Sequence, residues 1–227
     1  MVHLQQLEKI GLSFAGILRK EDIAISLPEV YSSKQLLSIL NQNTIYPQIL
    51  CRVKQEHSNN IYVFKNQQET NSIPADGIIT CIPKVAVCIS VADCVPIFLF
   101  DKNKQILGMI HAGREGTRKR IVQKALEKFV REFNTNLRDV AALIGPSIGP
   151  CCYKLPGELL SQCSKEGLIT TDRNTLDLWK SNEKQLTESG VETQNLFILS
   201  ECTYCNDNYF SYRRGDKKLR NYAIGMI

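Results

Sequence analysis

The clearest pattern along the chain is a series of short apolar segments that are rich in β-branched residues and separated by turn-forming residues. Segments of this length and composition are typical of buried or half-buried strands. We therefore predict strands at residues 47–54, 60–64, 77–82, 85–91, 95–100, 105–110, 140–145 and 195–200, and at the C-terminal "NYAIGMI".

The longest helical pattern covers residues 117–133. Its apolar residues fall on one helical face: Ile121, Val122, Ala125, Leu126, Phe129, Val130 and Phe133. Shorter helices are predicted at 32–43, where a serine can cap the N-terminus, and at 156–166 and 175–189. Because helices and strands interleave without a strict strand–helix–strand rhythm, we predict an α+β fold of packed mixed β-sheets flanked by helices. The absence of repeats and of Pro/Gly-rich linkers favours a single domain over 1–227.

Composition and charge narrow the function classes. Hydrophobic residues make up 43% of the 227 residues and charged residues 22%, which is ordinary for a globular enzyme. The 28 Lys and Arg exceed the 23 Asp and Glu by five charges, but they are spread along the chain. This pattern does not predict nucleic-acid binding, whereas a mildly basic surface suits anionic small molecules such as phosphate.

The nine cysteines have irregular spacing, and the N-terminus lacks the basic and apolar blocks of an export signal. No apolar run reaches the about 18 residues that a membrane span requires. We therefore expect reduced thiols in a cytoplasmic protein without membrane partners. The sequence gives no indication of oligomeric state.

One apolar run, "ISVADCVPIFLF" at 89–100, carries a carboxylate and a thiol side by side, Asp93 and Cys94. An ionised side chain is costly to bury without a partner, and a metal ion or a catalytic role is one way to compensate. Of the three histidines, His3 lies near the N-terminus, whereas His57 and His111 lie at the ends of predicted strands.

We hypothesise that His57, Cys94 and His111 form a catalytic metal site. Such sites use three widely separated protein ligands and keep one position open, and two imidazoles with one thiolate suit zinc. The alternative is that Cys94 is a small core residue and both histidines are turn residues.

Other groups give weaker signals. Cys202 and Cys205 form a C-x-x-C motif without a second pair nearby in the sequence, and the adjacent Cys151 and Cys152 are expected to pack in a turn. Asp76-Gly77 has the pattern of a turn. Arg213 lies in "FSYRR", and arginine is the usual residue for binding phosphate or carboxylate with two hydrogen bonds.

Six ordered motifs resemble a known family. They are "VKQEH" (53–57), "ADGIIT" (75–80), "VADCVPIFLFD" (91–101), "GMIHAGREGT" (108–117), "LIGPSIGPCCYKL" (143–155) and "CTYCNDNYFSYRR" (202–214). In this order they resemble the laccase-domain family, named for multicopper polyphenol oxidase activity, over roughly residues 45–227. Members of that family are zinc-dependent purine nucleoside phosphorylases that also deaminate adenosine.

The resemblance implies a single domain with α/β/β/α-type layers and a zinc ion on His57, Cys94 and His111, with copper as the alternative metal. The implied substrates are phosphate and the purine nucleosides adenosine, inosine and guanosine, with methylthioadenosine as a further candidate. For catalysis we assign Asp93, Cys94 and His111. For substrate binding we assign Gln55, Arg114 and Arg213.

The chain departs from the family pattern in three places. Glu115 stands where the His-Ala-Gly-Trp-Arg-Gly motif has arginine, although Arg114 lies beside it. Ser58 replaces the glycine of Gln-x-His-Gly, and the N-terminal Thr-Arg-x-Gly-Gly element is reduced to Arg19. If the missing cations contact phosphate, phosphorolysis is the activity most affected.

Three other functions stay open at this stage. A four-copper oxidase needs far more imidazoles than three, so a polyphenol oxidase is disfavoured by composition. A thiol hydrolase would use Cys94 as nucleophile and His57 or His111 as base. A non-catalytic binding or editing factor would keep the pocket without turnover.

Overall fold

The computed structural model of the protein describes residues 1–23, 31–65 and 73–227. Within these ranges the strands are β1 (Val2–His3), β2 (Phe14–Leu18), β3 (Ile49–Cys51), β4 (Ile61–Phe64), β5 (Gly77–Thr80), β6 (Val85–Val91), β7 (Val95–Asp101), β8 (Ile106–Ala112), β9 (Val140–Ile144), β10 (Ile169–Thr170), β11 (Leu176–Asp177), β12 (Leu196–Ile198) and β13 (Asn221–Met226). The helices there are α1 (Gln5–Glu8), α2 (Ser33–Gln42), α3 (Arg114–Arg118), α4 (Ile121–Phe133), α5 (Gly157–Lys165) and α6 (Leu178–Ser189).

Two mixed sheets form the centre of the molecule. One has the strand order β1-β2-β13-β6-β3, the other has the order β12-β9-β7-β8-β5-β4, and β10 pairs only with β11. The pairs β3–β6, β4–β5 and β9–β12 are parallel, and the remaining pairs within the two large sheets are antiparallel. The predicted α+β class with mixed sheets is confirmed.

The side chains of β6 show how the layers form. Because successive residues of a strand point to opposite faces, the odd-numbered residues of β6 lie in the core between the two sheets. Ala86 and Cys88 point the other way and pack with Leu36 and Leu40 of α2. The far face of the six-stranded sheet packs on α4, α5 and α6. The predicted order of helix, sheet, sheet and helix layers is therefore confirmed.

The helix predicted over 117–133 is wrong at its start. The structure has two helices, α3 and α4, separated by Arg120 in the left-handed region (φ 58°). The carbonyls of Thr117 and Lys119 accept hydrogen bonds from the side chains of Gln185 and Asn59, at 2.8 and 2.7 Å. These two side-chain amides replace the backbone donors that a continuous helix would provide. The chain can therefore turn here without leaving these carbonyls unpaired.

The pattern of short apolar runs missed one central strand. β2 lies in the N-terminal part, where no strand was predicted, and pairs with β13 along five residues. All five residues of β2 are buried. Its sequence, Phe-Ala-Gly-Ile-Leu, contains alanine, glycine and a single β-branched residue, so its strand propensity is low and the pattern did not reveal it.

Over the described ranges, none of the helices combines the length and the apolar character that a transmembrane span requires.

Candidate active site

The turn at residues 92–94 carries the chain from one sheet to the other. β6 ends at Val91 in the five-stranded sheet, and β7 begins at Val95 in the six-stranded sheet. Asp93 adopts a left-handed backbone conformation in this turn, with φ 83°. The carboxylate and the thiol therefore interrupt the apolar run at a crossing between sheets, where a core residue is not needed.

The three predicted metal ligands meet beside this turn. His111 lies on β8 opposite Pro96 of β7, directly next to the turn that carries Cys94. Cys94 Sγ lies 3.9 Å from His57 Nε2, and the rings of His57 and His111 are 4.9 Å apart. One potential ligand atom from each of the three residues lies within 4.8 Å of the others.

His57 differs in one respect from its prediction. The strand predicted over 47–54 ends at Cys51, so His57 lies in the following loop and not at the end of a strand. It adopts a left-handed backbone conformation with φ 56°. A non-glycine residue in this region is uncommon and needs support from its surroundings.

That support comes from Asp76, a buried residue that the sequence pattern identified only as part of a turn. That interpretation missed its role: Asp76 lies in a bend that leads directly into β5, and its side chain is fully buried. Its carboxylate accepts hydrogen bonds from the backbone N–H groups of Glu56, His57 and Ser58. It also accepts one from His111 Nδ1 at 2.8 Å. One carboxylate thus fixes the loop of the first histidine and the ring of the second.

In this site the shifted pKa values favour the charged forms of Cys94, His111 and Asp76. Burial alone would raise the pKa of Cys94, but the neighbouring imidazoles of His111 and His57 lower it, to about 6. Burial alone would lower the pKa of His111, but Cys94 and Asp76 raise it to about 9. Burial would likewise raise the pKa of Asp76, but hydrogen bonds from His111 and Ser58 lower it to about 2. Without a metal, the site therefore holds a thiolate and an imidazolium at neutral pH.

Gly113 is required for the close approach of these groups. A Cβ atom built at this position would lie 2.7 Å from Cys94 Sγ and 3.5 Å from His57 Cδ2. The glycine of the His-Ala-Gly motif therefore leaves space for the ligands, a role that the sequence alone did not reveal.

The donor set fits a divalent transition metal. The Nδ1 atom of His111 is hydrogen-bonded to Asp76, so Nε2 is the ring nitrogen that remains for a metal. A histidine ligand commonly donates its other N–H to a carboxylate in this way. Tetrahedral zinc places sulfur and nitrogen donors about 3.6 Å apart, close to the 3.9 Å between Cys94 and His57. The residues therefore fit a metal ion held by two imidazoles and one thiolate.

A cavity of about 720 Å³ opens over the three candidate ligands. The predicted substrate residues Gln55, Arg114 and Arg213 line it, as does Asp93. Further lining residues that the prediction did not assign include Arg52, Ser90, Ile148, Tyr153, Tyr212 and Arg220. Arg19 is not among the lining residues, and its guanidinium lies over the ring of Tyr209.

The side chain of Asp93 is hydrogen-bonded to the segment that carries Arg213. Its carboxylate accepts hydrogen bonds from Thr203 Oγ1 and from the backbone N–H of Arg213, both at 2.7 Å. The carboxylate that contacts a candidate metal ligand is Asp76. The contacts of Asp93 therefore position the Arg213 loop.

The other predicted substrate residues are also held in place. Gln55 exchanges hydrogen bonds with Ser90, donating to its carbonyl at 2.9 Å and accepting from its N–H at 2.8 Å. Arg114 forms a salt bridge with Glu115 at 3.0 Å. Arg213 donates to the carbonyl of Lys154 and lies 5.2 Å from the centre of the Tyr153 ring.

Tyr153 lines the same cavity as the two arginines predicted to bind phosphate and the three candidate metal ligands. Burial and the nearby Cys94 raise the pKa of Tyr153 to about 12, and both Arg114 and Arg213 act against this rise. The phenol therefore stays protonated at neutral pH and lies within electrostatic reach of both guanidinium groups.

Cys202 and Cys205 do have a second pair nearby, contrary to the interpretation of the sequence. Among the residues that the structure describes, the ligand atoms of Cys151, Cys152, Cys202 and Cys205 all lie within 4.8 Å of one another. This group shares no residue with the site at His57, Cys94 and His111.

The model of one protein family matches residues 32–226, almost the whole chain. The family is described as multi-copper polyphenol oxidoreductase laccase. The chain belongs to this family. The laccase-family membership inferred from the six sequence motifs is thereby confirmed.

Relatives of the chain carry a different name. A Clostridium acetobutylicum protein named purine nucleoside phosphorylase is 34% identical over 171 residues, which cover 73% of this chain and 71% of that protein. A Bacteroides thetaiotaomicron protein with the same name is 36% identical over 162 residues, which cover 67% of this chain and 60% of that protein. The match thus spans less than two thirds of the Bacteroides protein.

The crystal structure of YlmD from Geobacillus stearothermophilus has the same fold. It superposes with a TM-score of 0.80 over 94% of this chain and 91% of that chain, at 22% identity. This similarity concerns the arrangement of the sheets and helices.

Proposed function

We propose that this laccase-family protein is a zinc-dependent purine nucleoside phosphorylase. It would cleave the bond between the purine and the sugar with inorganic phosphate, giving the free base and ribose 1-phosphate. The proposal depends mainly on one observation. A single cavity is lined both by His57, Cys94 and His111 and by Arg114 and Arg213. The names of the relatives supply the substrate class.

The size and lining of the cavity suit a nucleoside with phosphate. Pockets for small molecules commonly measure about 300–1,000 Å³, and this one measures about 720 Å³. Tyr153 and Ile148 give apolar surface for a purine, and Gln55 and Ser90 give polar groups. We assign Gln55 to substrate contact through its position at the cavity wall, held by Ser90.

His57, Cys94 and His111 would hold the metal ion, and Asp76 would set the orientation of His111 and of the His57 loop. A zinc ion at this position would supply Lewis acidity. Zinc is proposed over copper because a His₂Cys set with an open position is typical of catalytic zinc, whereas a blue-copper site usually adds an axial ligand such as Met.

Arg114 and Arg213 are proposed to bind the oxygens of phosphate. Both arginines line the cavity, and both act electrostatically on the Tyr153 phenol. Arg213 is positioned through its backbone N–H by Asp93 and through its side chain by the Lys154 carbonyl. We therefore assign Asp93 mainly to positioning, with proton transfer as the role to be tested beside it.

Adenosine deamination is the second candidate activity. Glu115 pairs with Arg114 at 3.0 Å and also with Arg118, which weakens the positive field that would attract phosphate. A reaction that uses water needs no phosphate site, so this pairing favours deamination as a companion activity.

Polyphenol oxidation is not supported, because the whole sequence has three histidines and His3 contacts Glu8 at the N-terminus. A cytoplasmic location remains part of the proposal.

The test is to incubate the zinc-loaded protein with adenosine, inosine or guanosine, with and without phosphate, and to separate the products by chromatography. We expect phosphate-dependent release of the base and ribose 1-phosphate, and we expect Arg213→Gln to raise the KM for phosphate. Arg173→Gln, at an exposed arginine outside the cavity, should leave that KM unchanged. Inosine formed from adenosine without phosphate would support deamination. Absence of all these products would refute the proposal.

A further inference from the structure

Four cysteine sulfur atoms meet at one end of the six-stranded sheet. Strands β9 and β12 are parallel neighbours, so the loops that follow them leave the sheet at the same edge. Cys151 and Cys152 lie in the loop after β9, and Cys202 and Cys205 lie in the loop after β12. The Sγ atom of Cys205 is 3.3 Å from that of Cys152 and 3.7 Å from that of Cys151.

The two loops are fixed to each other by their backbones. Ser147 donates its N–H to the Glu201 carbonyl at 3.1 Å, and its carbonyl accepts the N–H of Thr203 at 3.0 Å. The cysteines are thus brought together by paired backbone segments. A contact that depended on side-chain rotamers alone would be less well defined.

The most buried of the four sulfur atoms accepts a hydrogen bond. Gly149 donates its backbone N–H to Cys202 Sγ at 3.2 Å. Hydrogen bonds to the charged form of a group stabilise that form, and such outer-shell donors are typical of thiolates that bind metals. A cysteine that served only packing would not need the Gly149 donor.

We propose that Cys151, Cys152, Cys202 and Cys205 bind a second metal ion, a structural zinc held by four thiolates. Zinc sites with four cysteine ligands are closed and tetrahedral, with Zn–S distances of about 2.3 Å, so their sulfur atoms lie about 3.8 Å apart. Separations of 3.3 and 3.7 Å, with the whole group inside 4.8 Å, require only small shifts. Binding releases the thiol protons to solvent, and the sulfur atoms stay reduced.

The zinc would stabilise the part of the cavity wall that carries Asp93 and Arg213. Between the two loops and the site, Thr203 donates to the Asp93 carboxylate, and Ile148 donates its N–H to the Asp93 carbonyl at 2.9 Å. Arg214 donates to the carbonyls of Thr203 and Tyr204, at 2.8 and 3.0 Å. Clamping the two cysteine loops would therefore hold Asp93, and through it Arg213, in place.

A disulfide between Cys152 and Cys205 is the rival arrangement. It would use two of the four sulfur atoms and leave the hydrogen-bonded Cys202 without a function. Because zinc accounts for all four thiols and for the donor to Cys202, we favour it.

The experiment uses the full chain, expressed with added zinc and purified anaerobically, with neither a reductant nor a chelator. Zinc per chain is measured by elemental mass spectrometry in the wild type and in His57→Ala/His111→Ala, Cys202→Ser/Cys205→Ser and Cys81→Ser. Cys81 is an exposed cysteine outside both groups and serves as the matched control. Zinc-edge X-ray absorption then identifies the ligands.

We expect two zinc ions per chain in the wild type and in Cys81→Ser, and one in each double variant. In His57→Ala/His111→Ala, the remaining zinc should have sulfur ligands only, and its removal should lower the melting temperature. If Cys202→Ser/Cys205→Ser fails to fold, this result alone decides. A folded His57→Ala/His111→Ala protein without zinc would overturn the proposal, as would an intact mass lower by two hydrogens, which indicates a disulfide.

Discussion

Asp76 holds His111 through a hydrogen bond of 2.8 Å between Oδ1 and Nδ1, and both side chains are buried. The same carboxylate accepts the backbone N–H of His57. Two of the three candidate ligands therefore depend on one residue that is not itself a member of the candidate ligand group. The geometry of the site therefore depends on the Asp76 carboxylate as well as on the candidate ligands themselves.

Asp76→Asn should weaken metal binding about 10- to 100-fold, because loss of such an outer carboxylate leaves the histidine ligand less basic and less well oriented. Affinity would be measured by competition with a chelator of known zinc affinity. Asp101→Asn provides the control, because Asp101 is also buried and also accepts backbone N–H groups, from Asn103 and Lys104. Equal zinc affinity in Asp76→Asn and wild type would contradict the assigned role.

Gly113→Ala should strongly reduce metal binding with little loss of secondary structure. The added methyl group would lie 2.7 Å from Cys94 Sγ, which forces the sulfur away from the two imidazoles. Gly157→Ala is the matched control, because nothing lies within 4 Å of a Cβ atom there. Zinc content and circular dichroism of both variants would decide, and a fully metallated Gly113→Ala protein would count against the proposed packing.

The metal-free protein should have a reactive thiolate at Cys94. Its pKa is lowered to about 6, so the thiolate form predominates above that pH and decreases about tenfold per unit below it. The rate of alkylation by iodoacetamide, followed by mass spectrometry at Cys94 after chelation, should therefore level off above about pH 6. Cys88 is an internal reference, since burial raises its pKa to about 12.

Substitution of His111 tests whether its imidazolium is the group that lowers the pKa of Cys94. The His111→Asn variant loses the imidazolium that lowers the pKa of Cys94, so its alkylation profile should move to higher pH. An unchanged profile would show that another group stabilises the thiolate.

Glu115→Gln should lower the KM for phosphate several-fold, because it removes the carboxylate that pairs with Arg114 and leaves that guanidinium for the anion. The effect should shrink at high ionic strength, since salt screens interactions between exposed charges. Glu158→Gln, at an exposed acid outside the cavity, controls for the change in net charge. A KM for phosphate that rises in Glu115→Gln would argue that Glu115 itself contributes to the site.

Much of the fold followed from local pattern, and the exceptions have physical reasons. The strand predicted over 85–91 agrees with the structure at both ends, because the flanking turns mark it clearly. β2 was missed because alanine, glycine and a single β-branched residue give its five residues a low strand propensity. The break at Arg120 was missed because it depends on Gln185 and Asn59, which are distant in sequence.

The candidate site was predictable in its ligands but not in its supports. Cys94 stood out as a polar residue in an apolar run, and the scarcity of histidine left few partners for it. Asp76 has no such signal, since an Asp-Gly pair before a strand is also typical of a turn. The four-cysteine group was missed because sequence spacing separates two pairs that the parallel strands β9 and β12 bring together.

The most direct test of the account is the dependence of turnover on the metal at Cys94. Ribose 1-phosphate formation from inosine and phosphate would be measured in wild-type protein and in Cys94→Ala, each after chelation and again after zinc is restored. The account predicts that chelation abolishes product formation, that zinc restores it in the wild type, and that Cys94→Ala stays inactive throughout. Full turnover in the metal-free wild type, or in Cys94→Ala, would contradict it.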